Sequence, residues 1–185
     1  MTGGPKDYLS RNHGAKLMVN QLYVYLIHML HVVLNLVPGF IRNPVLRMLL
    51  HRAGKRIYFD HNVYIKFPWL VEIGSDASIN RGVEFYPDFF GGSRIVLGNN
   101  VRVGPHTRFH AAGHDTADTR YGHSGGSITV GDDVWIGTGV ILLPGVHVGD
   151  RSVVGAGSVV SRDIPPDSVA VGVPARVIKQ RDTGA

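Results

Sequence analysis

Residues 110–127 read His-Ala-Ala-Gly-His-Asp-Thr-Ala-Asp-Thr-Arg-Tyr-Gly-His-Ser-Gly-Gly-Ser, a polar, glycine-rich run in a chain that is otherwise regular. Imidazole is the side chain best matched to moving a proton near neutral pH, and a positioned base turns a hydroxyl into a competent nucleophile. His106, His110 and His114 also recur at a spacing of four, and the rival chemistry for that pattern is a metal held by three imidazoles. The chain contains no Cys, which excludes disulfides, thiolate zinc sites and thiol nucleophiles. His13, His28, His31, His51, His61 and His147 fall on the N-terminal leader or on surface positions and read as solvated or hydrogen-bonded side chains.

The elements that must hold this run declare themselves by period. Val130, Ile136, Leu142, Val148, Val154 and Val160 fall six apart, and Gly131, Gly137, Gly149 and Gly155 directly follow four of them. Four residues after each apolar position come Val134, Val140, Val146, Ser152, Ser158 and Ile164, all small, β-branched or readily packed. The lattice reappears upstream at Leu97-Gly98, Val103-Gly104 and Phe109, and again at Ile73-Gly74, Ile79 and Phe85. A period of six is one short strand plus one corner, and three such units make a triangular coil of about 18 residues. Coils stack at roughly 4.8 Å, and none can bury its inner face alone, so stability passes from coil to coil. Between Phe109 and Val130 the register slips, which extrudes residues 110–127 as a loop on one face, where solenoid insertions often carry binding groups.

Composition agrees with a single folded domain. Of 185 residues, 44% are hydrophobic and 18% charged, too apolar and too weakly charged for disorder. Twenty-four Gly without a three-residue period exclude collagen and favour a turn-dense β architecture. The formal charge of +5 suits phosphate-bearing ligands or an acidic membrane face, and the lack of a Lys/Arg run argues against nucleic acid. Residues 1–16 form a polar, flexible tail without the apolar core of a signal peptide, and 17–55 form a helical leader. In it Leu17, Met18, Leu22, Leu26, Met29, Leu30, Val33 and Val37 make a wide apolar face that Pro38-Gly39 ends. Gln21, His28, His31 and Asn35 form a polar stripe that interrupts a spanning segment. The expectation is a helix packed on the domain or a neighbouring subunit, or lying peripherally on a membrane through residues 17–41. A second helix is expected around Pro44–Arg52, the solenoid over 56–178 and a tail over 179–185.

Written as an aliphatic residue, Gly, two variable positions, a small or β-branched residue and one more variable position, the repeat resembles that of the hexapeptide-repeat acyltransferases. Ile128–Gly139, Leu143–Gly145, Val154–Ser158, Asp163–Pro166 and Gly172–Ile178 are similar to the branch of maltose and galactoside O-acetyltransferases. The resemblance implies an all-β solenoid, a left-handed parallel β-helix with an N-terminal helical segment. Handedness rests on it alone, since ordinary parallel crossovers are right-handed. It further implies a homotrimer that transfers acetyl from acetyl-CoA directly to a saccharide hydroxyl, without an acyl-enzyme.

Carried over position by position, the resemblance makes His114 the general base, in Gly113-His114 at the start of the loop. It places backbone N–H donors for the oxyanion beside Gly137 and Thr138. Asn80, Asp88 and Trp135 are implied on the acceptor side; Ala156, Ser161 and Arg162 line the coenzyme groove; Arg176 and Lys179 meet its phosphates. The N-terminal 55 residues differ from the helical cap of those enzymes and are similar to the apolar leaders of bacterial polysaccharide-biosynthesis acetyltransferases. That points to glycan assembly in the cytoplasm at the inner face of the membrane. The alternatives are an acetyltransferase of free sugars or small molecules, a metalloenzyme like the γ-class carbonic anhydrases, whose ligand spacing is not recognisable in this sequence, and a non-catalytic scaffold.

Overall fold

A computed structural model describes residues 13–115, 117, 119 and 122–181; of the tails expected over 1–16 and 179–185, residues 1–12 and 182–185 lie outside the described residues. The chain divides into two units, Met1–Val37 and Pro38–Ala185.

Among the described residues the first unit holds one helix, α1 (His13–Leu36), which starts ahead of the expected Leu17. Leu17, Met18, Leu22, Leu26, Met29 and Val33 are exposed, as are Val19, Tyr25, Val32 and Leu36, whereas Ile27 and Leu34 are buried. The expected polar stripe is split. His28 is exposed, but His31 is buried, its Nδ1 lies 2.8 Å from the Ile27 carbonyl, and burial pushes its pKa below the ordinary imidazole value.

The second unit opens with α2 (Gly39–Leu49), which begins earlier than the expected Pro44 and keeps that proline in its interior. The reason is local: the Pro38 carbonyl accepts the N–H groups of Ile41 and Arg42 and starts the helix there. Two arginines on α2 reach the strands that follow. Buried Arg42 donates from Nη2 to the Phe59 carbonyl at 2.8 Å and meets His61 Nδ1 at 2.9 Å, and Arg47 donates to the Gly54 carbonyl at 2.9 Å.

From Arg52 onward the chain visits three parallel sheets in rotation. Sheet 1 runs through Arg52–Ala53, Val71–Ile73, Ile95–Leu97, Ile128–Val130 and His147–Val148. Sheet 2 takes Tyr58–Phe59, Ser78–Ile79, Arg102–Val103, Trp135–Ile136, Val153–Val154 and Ser168–Val171, with Arg176–Gln180 added antiparallel at its edge. Sheet 3 takes Tyr64–Ile65, Glu84–Tyr86, Arg108–His110, Ile141–Leu142 and Val159–Val160. The first strand thus precedes the expected boundary at residue 56, and the last reaches past 178. Each parallel strand pairs with the one a full turn away, so backbone bonds run along the stack and side chains alternate in and out.

The six-residue lattice is the inner ladder. Val130, Ile136, Leu142, Val148, Val154 and Val160 are all buried, as are Val134, Val140, Val146, Ser152, Ser158 and Ile164. Phe85 and Phe109, one turn apart and fully buried, stack with parallel rings 4.8 Å between centroids. At the corner after sheet 2 successive coils come too close for side chains. A Cβ on Gly104 would lie 2.6 Å from the Thr138 nitrogen, and one on Gly137 would lie 2.6 Å from the Ala156 nitrogen. Within residues 110–127, where the register slips, the structure has a separate hairpin: Ala112–His114 pairs antiparallel with His123–Gly125. It is tied down where Ala111 N–H donates to the Tyr86 carbonyl and Gly126 N–H to the Ala111 carbonyl.

Candidate active site

Two features gather residues singled out from the sequence, a groove along the corner after sheet 2 and the hairpin. The groove encloses about 430 Å³ and brings Asn80, Trp135, Gly137, Thr138 and Ala156 together with Gly104, Pro105 and Gly155. The missing side chains demanded by coil stacking leave backbone at its floor. Gly137 N–H is committed to the ladder, donating to the Val154 carbonyl at 2.8 Å. Thr138 is exposed and its N–H takes no part in the ladder bonds among the described residues, so of the two oxyanion donors expected from sequence it is the one left for a ligand. Half-buried Asn80 donates one Nδ2 hydrogen to the Val103 carbonyl at 2.7 Å, which fixes the amide and leaves Oδ1 and the second hydrogen for a ligand. Trp135 faces outward from sheet 2, more than half exposed, as the lattice phase requires. Ser161, Arg162, Arg176 and Lys179 are exposed and lie outside this lining.

The hairpin carries His114, exposed and directly across from His123, with the two rings edge to face at 6.5 Å. His114 does not line the groove of its own chain. His123 was not singled out by sequence, and neither was its partnership with Asp88, which lies far away in the chain. Asp88, only 1% exposed, takes His123 Nε2 on Oδ2 at 2.6 Å and accepts the N–H groups of Phe90 and Gly91 on Oδ1, both at 3.0 Å. Burial acts to raise the Asp88 pKa, but the bonds from Gly91, His123 and Phe90 outweigh it and hold the carboxyl below the usual range. With its oxygens so engaged, Asp88 orients other groups.

The histidines at spacing of four diverge. His106 lies against Gly82, and His110 stacks on Tyr86 at 5.0 Å with rings 4° apart. Burial and the Arg108 charge push the His110 pKa down, while burial and Glu84 push Tyr86 up to about 12. Among the described residues no three His, Cys, Asp or Glu side chains gather as a metal set.

Comparison with known proteins decides the family. Residues 127–162 match the family described as bacterial transferase hexapeptide (six repeats). The chain is 34% identical over 142 residues to the galactoside O-acetyltransferase of Escherichia coli K12, covering 75% of this chain and 68% of that protein. It belongs to the hexapeptide-repeat acyltransferases. A hexapeptide-repeat acetyltransferase of Vibrio cholerae, solved with acetyl coenzyme A, superposes with a TM-score of 0.77 at 31% identity over 86% of this chain and 87% of that one. A maltose O-acetyltransferase of Clostridium difficile 630 gives 0.78 at 32% identity over 89% of each chain. For this acyltransferase, the groove and the hairpin are therefore the two places where its chemistry is to be sought.

Proposed function

We propose that this acyltransferase moves an acetyl group from acetyl-CoA to a saccharide hydroxyl within a homotrimer of left-handed coils, where His114 of one subunit meets the groove of its neighbour. The observation that carries the reading is the split between a Thr138 N–H that has no ladder bond among the described residues, in a groove with glycines at its floor, and an exposed imidazole on a hairpin outside that groove. Neither half is a site alone; a second copy completes both. The groove fits a thin, extended ligand, with Gly137, Thr138 and Ala156 beneath it and the cationic Arg162, Arg176 and Lys179 as the groups to meet its phosphates. Acetyl-CoA supplies an activated thioester carbonyl when bound.

His114 takes the proton of the acceptor hydroxyl as the acceptor oxygen bonds to the carbonyl carbon, and it returns that proton to the sulfur as the carbon–sulfur bond breaks. Thr138 N–H stabilises the charge that develops on the carbonyl oxygen. Asn80 and Trp135 border the reacting atoms and hold the acceptor. Thiol release from acetyl-CoA, followed across nucleotide sugars, lipid-linked saccharides and free sugars, tests the reading. Acceptor-dependent release with a mass gain of one acetyl on the saccharide is expected, and binding of acetyl-CoA without any saccharide product would refute it.

We also propose that α1 sets the enzyme at the cytoplasmic face of a membrane. Leu17–Leu36 carries no charged residue, has a mean hydropathy of 1.6 and is only 17% buried. Its exposed Leu17, Met18, Leu22, Leu26 and Val33 supply apolar surface for a helix that lies in the interfacial plane of a membrane. In flotation with phosphatidylglycerol vesicles the full chain is expected to rise with lipid, and a Leu22→Glu/Leu26→Glu variant to stay in the dense fraction. Equal behaviour of the two would remove the membrane from the account.

A further inference from the structure

Beside the hairpin the surface carries rings that the reaction as described does not use. Trp69, Phe89 and Phe90 are 41%, 49% and 68% exposed, in a molecule whose solenoid buries its other phenylalanines at positions 59, 67, 85 and 109. They are contiguous. Trp69 meets Phe89 edge to face at 6.4 Å, Phe89 meets Phe90 at 5.5 Å, and Phe90 meets His123 at 6.1 Å, one ring contact from His114. Buried Phe67 underlies the far end, stacked on Phe89 at 5.2 Å. Exposed apolar surface of this continuity marks a binding site more often than chance.

The rings are also held in place. Asp88 folds the turn that presents Phe89 and Phe90, through its Oδ1 bonds to Phe90 and Gly91 and the backbone bond from its N–H to the Ser93 carbonyl. The other oxygen of the same buried carboxylate grips His123. One carboxylate therefore locks turn and hairpin together, so that the aromatic run and the proton-transfer histidine keep a fixed relation. Such rigidity lowers the ordering cost of a ligand that touches both.

We propose that Trp69, Phe89 and Phe90 form an extended acceptor platform, and that the acceptor is a saccharide chain of more than one sugar unit, reacting at His114 while its further units lie over the rings. This rests on the acetyl-transfer reading above and deepens it. The chemistry fits: the C–H faces of a pyranose carry partial positive charge and meet the negative face of an aromatic quadrupole. The length follows from the spacing. A pyranose is about the size of one aromatic ring, while the ring contacts run from His114 through His123, Phe90 and Phe89 to Trp69, so that Phe89 and Trp69 stand three and four contacts along this path. Contacts that far from the reacting hydroxyl add binding without discriminating ground state from transition state, so they act on KM and leave kcat in place.

The test is calorimetric titration of the full chain with glucose, maltose, maltotriose and maltotetraose and with the matching galactose series, joined to acetylation kinetics on the same sugars. Affinity is expected to rise about tenfold from one unit to four in the wild type. In Phe89→Ala/Phe90→Ala that gain shrinks to less than about twofold, KM for the long acceptor rises accordingly, and Phe90→Tyr restores most of the gain. A length dependence that is missing in the wild type, or that survives the double substitution, overturns the platform. So does a change in sedimentation of the double variant, which would make these rings a contact between subunits. Length-dependent binding with no acetyl transfer to any sugar would leave the platform standing and remove the proposed reaction.

Discussion

Substituting His114 with alanine is expected to lower kcat by roughly 10²–10⁴ while the protein stays folded, because a positioned general base contributes about that factor. A saccharide hydroxyl must shed its proton as it attacks, and without an imidazole only water can take it. The loss should appear equally in kcat and in kcat/KM, since the proton moves only in the transition state. Folding is spared for a structural reason: His114 is exposed, sits on a two-stranded hairpin outside the three sheets, and is no part of the inner ladder. Steady-state kinetics and a melting curve on one preparation separate the two effects. His123→Gln is the informative companion, for that ring is gripped by Asp88 and stands across the hairpin. A smaller kcat defect in it than in the His114 variant assigns the proton to His114. An alanine variant at His114 that turns over at the wild-type rate would end the mechanism.

Phe109→Ala is expected to cost about 3–5 kcal/mol of unfolding free energy, the range for emptying a buried phenylalanine site. Its ring is fully buried and stacked face to face on Phe85, and its strand lies between Glu84–Tyr86 and Ile141–Leu142 in sheet 3. A coil cannot relax inward when its neighbours fix both edges, so the void stays open. Against a typical total of 5–15 kcal/mol the loss is a large part of the whole. Phe109→Leu, which keeps most of the volume, is expected to lose less than half as much in urea unfolding. A loss below about 1 kcal/mol for the alanine variant would mean that the aromatic rungs are not what holds the coils.

The inner ladder was legible because burial repeats with the chain: every sixth residue from Val130 to Val160 points inward, and so do the positions four residues on. Gly137 and Thr138 were named by the family resemblance, since the period marks the corner they occupy but not that it opens as a groove. What stayed hidden depends on distance in space. Asp88 and His123 are 35 residues apart and His123 lies within the register slip, so no period relates them. For His31 the sequence left solvated and hydrogen-bonded readings open, and only the fold reveals that it is buried with its Nδ1 against the Ile27 carbonyl. The start of α2 was missed because Pro38-Gly39 reads as a stop, whereas the Pro38 carbonyl also opens the next helix.

The bare corner at Gly104, Gly137 and Ala156 has a wider meaning. Any chain wound this tightly must strip one edge of its coil of bulk, and in doing so it opens a slot lined by peptide groups whether or not a thioester ever enters. On the proposed reading, donor recognition is thus a by-product of winding, fixed as long as the coil is fixed. The hairpin and the Asp88 turn are appendages that can be rewritten without unwinding anything, so a change of substrate in this architecture should be sought there first.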